Sequence, residues 1–180
     1  MLVLDSTTVA STARLQETIP AGWETFKALL FPSGEQAPFI VEIPRPPASL
    51  RGTAIAGLEY MPWLTGDAAA GPTNHSYLEI AVTVEQGVQE YMTVAMVDQD
   101  HPPHIVHPKN MCIEMLVGGG IHWTGNVLAV RRVGGQLVDV QVEHIGRIAD
   151  SVAYLIRAET LAARSALFVA AEDEVHTDSE

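Results

Sequence analysis

The segment Asp98-Gln99-Asp100-His101-Pro102-Pro103-His104-Ile105-Val106-His107-Pro108-Lys109 gathers three of the chain's seven histidines and one of its two lysines. Three chemistries compete for these residues. A metal reading takes His101, His104 and His107, with Asp98 or Asp100, because zinc and iron sites need three convergent ligands. The prolines exclude a regular helix here and hold the backbone extended. In an extended chain His101 and His107 share one face and His104 opposes them, so the set converges poorly and no metal is expected. An amine reading centres on Lys109: a lysine in apolar surroundings loses its charge more easily, and a neutral amine attacks a carbonyl to form a Schiff base. Met111, Ile113 and Met115 follow closely enough to line such a cavity. The third reading is a stiff loop whose histidines hydrogen-bond locally; as a functional loop it offers His104 and His107 as substrate contacts.

Further candidates lie on the flanking apolar runs. Glu79, in Tyr77-Leu78-Glu79, and Glu114, in Cys112-Ile113-Glu114-Met115-Leu116, are acids that a pocket could bury and use. Arg131-Arg132 puts one guanidinium on each face of a strand, so one of the two can reach a cavity and hold a carboxylate. Cys112 has no cysteine to pair with and reads as a small buried hydrophobe. Gly118-Gly119-Gly120 is followed by no GKS or GKT, and no GxSxG, HExxH or CxxC occurs, so no cofactor is expected.

The elements that must position these groups are mostly strands. Leu78, Ile80, Val82 and Val84 alternate with Tyr77, Glu79, Ala81 and Thr83, and Tyr91 to Val97 returns after Gln86-Gly87, which predicts a hairpin over 77–97. Val127 to Val133 and Gln136 to His144 flank Gly134-Gly135, the clearest hairpin signal in the chain. Phe39 to Ile43, Thr53 to Tyr60 and Ile113 to Val117 are further strands, and Leu64 to Asn74 is a loop. Leu15, Ile19, Trp23, Phe26 and Leu30 stand at helical spacing over 12–30, interrupted by Pro20 and Gly22, which places Lys27 on an N-terminal helix. Residues 151–171 read either as a helix behind an Asp150/Ser151 cap, with Val152, Leu155 and Ile156 on its inner face, or as two strands split near Thr160. The domain plan is a frayed start over 1–12, a single β-rich domain over 13–171 and an acidic, disordered tail over 172–180.

Composition narrows the function classes. The 180 residues suit one domain. Ten basic against 22 acidic side chains give a net charge of −12, so no basic stripe is on hand for a phosphate backbone and no nucleic-acid partner is expected. No apolar run approaches the ~20 residues that span a bilayer, and Met1-Leu2-Val3-Leu4-Asp5 lacks a basic leader, so neither a membrane partner nor secretion is expected and the cytoplasm is the expected location.

Over residues 77–142 the chain resembles the acetoacetate decarboxylase-like superfamily. The resemblance rests on Tyr77-Leu78-Glu79, the returning strand from Tyr91 to Asp98, Pro102-Pro103 and Pro108-Lys109. It implies an α+β fold, mainly antiparallel β, shaped as a β cone or barrel around a small-molecule cavity. It also implies a small organic acid as ligand, Glu79 as a positioning group and Arg131 or Arg132 on the ligand carboxylate. The family's Schiff-base lysine lies on a later strand, yet residues 121–145 contain no lysine; either Lys109 substitutes, or the cavity does other chemistry or only binds. Residues 127–170 also resemble the closing strands of the hotdog thioesterase superfamily, through Gly135-Gln136-Leu137, His144 to Arg147, Ser151 to Glu159 and Leu161 to Val169. That alternative implies an acyl thioester substrate and a short helix over 110–117 with Glu114 as the acid. A non-catalytic ligand-binding module is the third expectation, and each of the three admits a homo-oligomer.

Overall fold

In the computed structural model of the chain the described residues are 22–45, 75–83, 89–97, 108–118, 120–134 and 136–177. Their order is β1 (Glu24–Phe31), β2 (Phe39–Arg45), β3 (His75–Thr83), β4 (Gln89–Val97), α1 (Met111–Val117), β5 (Val127–Val133), β6 (Gln136–Val138), a 3-10 turn (Val142–His144) and α2 (Ile145–Thr177). The strands form one open sheet in the order β2-β1-β5-β4-β3, with β6 on β5, and every pairing is antiparallel. The fold is therefore α+β and mainly antiparallel β.

Strand alternation divides the apolar residues between two faces. Leu29, Phe31, Met92, Val94, Met96, Val127 and Ala129 join Cys112, Ile113 and Val117 of α1 and Ile148, Val152 and Ile156 of α2 in one buried cluster. Phe26, Ala28, Leu30, Val41, Ile43, Ala95, Leu128 and Val130 form a second cluster on the opposite face. Ile148, Val152 and Ile156 recur every four residues and are fully buried, so each contributes about 1.5–3 kcal/mol to docking α2.

The 77–97 hairpin is present as β3 and β4, with Tyr77 opposite Ala95 and Ala81 opposite Tyr91. The Gly134 hairpin is also present, but its second strand stops at Val138 instead of continuing to His144. Gly134 turns with φ 57°, a conformation that glycine adopts without Cβ strain.

Two expectations are overturned and one open alternative is decided. Residues 24–31 are a strand, not part of a helix, and Lys27 lies on β1. Phe26 and Leu30 are four apart, a spacing that also places both on one face of a strand, and Ala28 between them is buried on that same face. Residues 113–117 are helical, because the buried Asn110 caps α1: its Oδ1 accepts from Ile113 N at 2.9 Å. The helix ends at Gly118, whose φ of 81° breaks the repeat. Of the two readings of 151–171, the helix is present, with Val152 and Ile156 buried and Leu155 packed against the same core, and the pair of strands is not. That helix begins at Ile145 rather than behind Asp150, Ser151 Oγ instead donates to the Arg147 carbonyl at 3.0 Å, and the helix runs through Thr177, past the tail boundary placed at 172. The expected strand over 53–60, the loop over 64–74 and the frayed start over 1–12 lie outside the described residues.

Candidate functional site

Arg131 and Arg132 are neighbours on β5 and alternation sends them to opposite faces, where they meet opposite fates. Arg131 points toward the helices. Its Nε donates to Glu90 Oε1 at 2.6 Å, and Arg147 Nη2, from α2, donates to Glu90 Oε1 and Oε2 at 2.9 and 3.1 Å. Glu90, on β4, is 1% exposed. Burial alone pushes its carboxyl upward, but the Arg131 hydrogen bond and the Arg131 and Arg147 charges outweigh that and hold it below the ordinary carboxylate value. His144 stands beside this cluster and its Nδ1 accepts from Gln141 N at 3.0 Å, which leaves the ring neutral. Desolvation, then the Arg131 charge, push the His144 ring below its usual value.

Arg132 points to the face away from the helices. Its Nε is buried and has no partner, and no ion pair or hydrogen bond joins its guanidinium to any described residue. Thr93, 7% exposed on β4, presents a buried Oγ1 without a partner to the same face. Thr93 is opposite Val130 and Tyr91 opposite Arg132, so Thr93 and Arg132 are diagonal neighbours with Cα atoms about 7–8 Å apart. Arg45, on β2, lies on this face too, 5.8 Å over the Phe26 ring, with Nη2 donating to the Leu137 carbonyl at 3.2 Å and a buried Nε without a partner. Leu137 is in turn the direct neighbour of Arg132 across β5 and β6. Unmet polar groups thus accumulate at one end of one sheet face. Arg45 has an acidic neighbour as well, its Nη1 lying 3.9 Å from Glu24 Oε2. Glu79 sits on β3, directly across from Thr93 of β4 in the strand pairing.

Lys109 and Glu114 come together, but on each other. Lys109 Nζ lies 2.7 Å from Glu114 Oε2, and the lysine side chain is 45% exposed. That is the reverse of the enclosed apolar pocket expected for a nucleophilic amine, and Met115 and Met111 are exposed, not cavity lining. Cys112 is buried, and burial, then the charge of Glu35, push its thiol up to about 12, so it is a packing residue with no thiolate to offer. Asp98, Asp100, His101, His104 and His107 lie outside the described residues. The described residues hold no group of three His, Cys, Asp or Glu suited to a metal, and no helix among them is long and apolar enough to cross a membrane.

The sequence did not single out one opening that the described residues form. It is a cleft of about 710 Å³ between Lys27 of β1, Ile40 and Glu42 of β2 and residues 140–143. Its signal is hidden because the 12–30 spacing fits a helix, and only on a strand does Lys27 face residues 140–143. On β1, odd-numbered residues face the helix side, and Lys27 points with Leu29 and Phe31. Glu90 and Arg147 were missed because nothing local marks them; only the pairing of β4 with β5 and the docking of α2 bring them together. Comparison of the chain with models of protein families, with curated proteins and with solved structures gives no match.

Proposed function

We propose that the protein binds a small organic acid without transforming it, with Arg132 holding the carboxylate and the Thr93 hydroxyl donating to it. The observation that carries this is the half-buried guanidinium of Arg132, which has no partner among the described residues. In a chain with more than twice as many acids as bases, a guanidinium with a buried N–H and no partner among the described residues is suited to an anionic ligand. The exposed Lys109–Glu114 pair and the inert Cys112 supply neither an amine nor a thiolate nucleophile, which favours binding over catalysis. A cavity of acetoacetate decarboxylase-like shape, used only to bind, is the fold-level form of this proposal. Calorimetric titration with acetate, a 2-oxo acid and a dicarboxylate tests it. Saturable binding that is lost in Arg132→Met, with no borohydride-trapped adduct on the 2-oxo acid, is expected. Binding that survives Arg132→Met, or a lysine adduct, overturns it.

One observation favours a second reading. Residues 111–117 are helical with Glu114 among them, as the hotdog alternative placed it, though a hotdog calls for a longer central helix and residues 151–169 are helix where it needs strands. Acyl-CoA turnover abolished by Glu114→Ala would establish that activity, with Lys109 then serving to orient the acid.

A further inference from the structure

We propose that the Lys27 cleft is a second binding site, for a short aliphatic zwitterion whose carboxylate meets Lys27 and whose ammonium meets Glu143 and Glu42. The cleft exists because β1 parts from β5: Leu29 is still opposite Ala129, but by Lys27 the neighbour of β1 is the segment that follows β6. Lys27 N donates to Asp139 Oδ1 at 2.9 Å, and Val140 N donates to the Lys27 carbonyl at 2.9 Å. These two bonds fix the far wall relative to the lysine. The opening of about 710 Å³ lies within the ~300–1,000 Å³ usual for small-molecule sites.

The lining decides the ligand class. Lys27 and Glu42 are direct cross-strand partners on β1 and β2, yet their side chains form no ion pair, and Glu143 likewise has none among the described residues. Three unpaired charges therefore face one cleft, one positive and two negative. Two carboxylates oppose a simple anion and the ammonium opposes a simple cation. A molecule with both charges answers all three. Between the charged groups the surface is apolar: Ile40, Val140 and Val142, the last 74% exposed and so an aliphatic side chain left in water when the cleft is empty. A methylene chain laid over them removes that apolar area from solvent.

This site is independent of Arg132, which points to the opposite face of the sheet, and the test separates them. Backbone amide shifts of Lys27 and of Val140 to Glu143 are followed in the full chain during titration with 5-aminopentanoate, pentylamine and pentanoate. The zwitterion is expected to bind at least about tenfold more tightly than either single-charge compound, an increment of about 1.4 kcal/mol. Lys27→Met should reduce its affinity to that of pentylamine, Glu143→Gln should weaken it severalfold, and Arg132→Met should leave it unchanged. Pentylamine binding as tightly as the zwitterion, an affinity unaffected by Lys27→Met, or an absence of shifts at these amides would overturn the proposal.

Discussion

Arg131 and Arg132 are adjacent and chemically identical, and the structure gives their substitution opposite consequences for stability. Arg131→Met removes the shortest bond to Glu90, at 2.6 Å, and leaves a carboxylate that is 1% exposed with only Arg147 beside it. Stripping a buried ion of its partners costs about 3–5 kcal/mol; with Arg147 retained at 2.9 and 3.1 Å the expected loss is about 2–3 kcal/mol. Arg132→Met breaks no hydrogen bond or ion pair with a described residue, and it removes a buried Nε that has no partner. An unmet buried donor costs about 1–3 kcal/mol, so relief of part of that penalty makes the variant neutral or more stable by up to about 1 kcal/mol. In a chain of this size the first substitution lowers Tm by about 4–12 °C and the second leaves it unchanged or raises it by a few degrees. Urea unfolding followed by far-UV circular dichroism measures both, and equal m-values confirm that the same surface is exposed. Equal destabilisation by the two variants, or a loss below about 1 kcal/mol in Arg131→Met, would refute the reading that Arg131 is engaged in holding the fold and Arg132 is not.

Asn110→Ala should destabilise by about 2–4 kcal/mol, because the side chain's bonds to Ile113 N, the Phe31 carbonyl and the Gly125 carbonyl all vanish inside the core; chemical denaturation reads it, and a loss under about 1 kcal/mol would contradict it. Acid should destabilise in two separate windows. His144 is depressed in the fold, so its neutral form contributes fully above the unfolded value of 6.5 and that contribution is lost as pH falls from there toward the folded value. Glu90 is depressed as well, so its contribution holds above 4.5 and is lost as pH falls through its lower folded value. Stability measured from pH 8 to pH 3 should lose the upper slope in His144→Gln and the lower slope in Glu90→Gln; a wild-type curve flat through both windows would count against these assignments. Cys112, with its thiol near 12, should resist a thiol reagent at pH 8 until the chain unfolds, and rapid labelling under native conditions would show that the core around it opens.

The sheet was legible where one periodicity had no rival. Alternation over 77–97 has no helical counterpart, and the Gly134-Gly135 turn leaves a single way to pair its flanks. Over 24–31 both periods fit, since Phe26 and Leu30 share a face of either a helix or a strand; pairing with β2 and β5 decides it, and those partners are distant in sequence. The helix over 111–117 was obscured for a related reason. Asn110 is recognisable as a cap, but what makes its cap decisive is burial against the Phe31 and Gly125 carbonyls, brought together by the end of β1 and the approach to β5. The division of Arg131 from Arg132 was readable from parity alone. Which of them faced a partner was not, because Glu90 and Arg147 are 41 and 57 positions apart from their bonding partners.

The charge balance of the chain gives these free groups their weight. Where acids outnumber bases by 22 to 10, a cationic side chain has a surplus of carboxylates to choose from, and most of those described have settled on an acceptor. Lys109 holds Glu114, Arg131 and Arg147 share Glu90, Arg157 donates twice to the Val117 carbonyl, and Arg45 takes the Leu137 carbonyl. Lys27 and Arg132 have no such acceptor among the described side chains. Lys27 is kept apart from a glutamate directly across the strand pair, and Arg132 holds a buried N–H that water does not reach. Exposure explains an unpaired lysine on an ordinary surface, since such a pair contributes about 0–1 kcal/mol. It does not explain a half-buried arginine, for which every unmet donor carries a desolvation cost. An acid that bound at Arg132 should therefore raise the stability of the protein, and a thermal melt unchanged by a saturating carboxylate would count against the proposed role of Arg132.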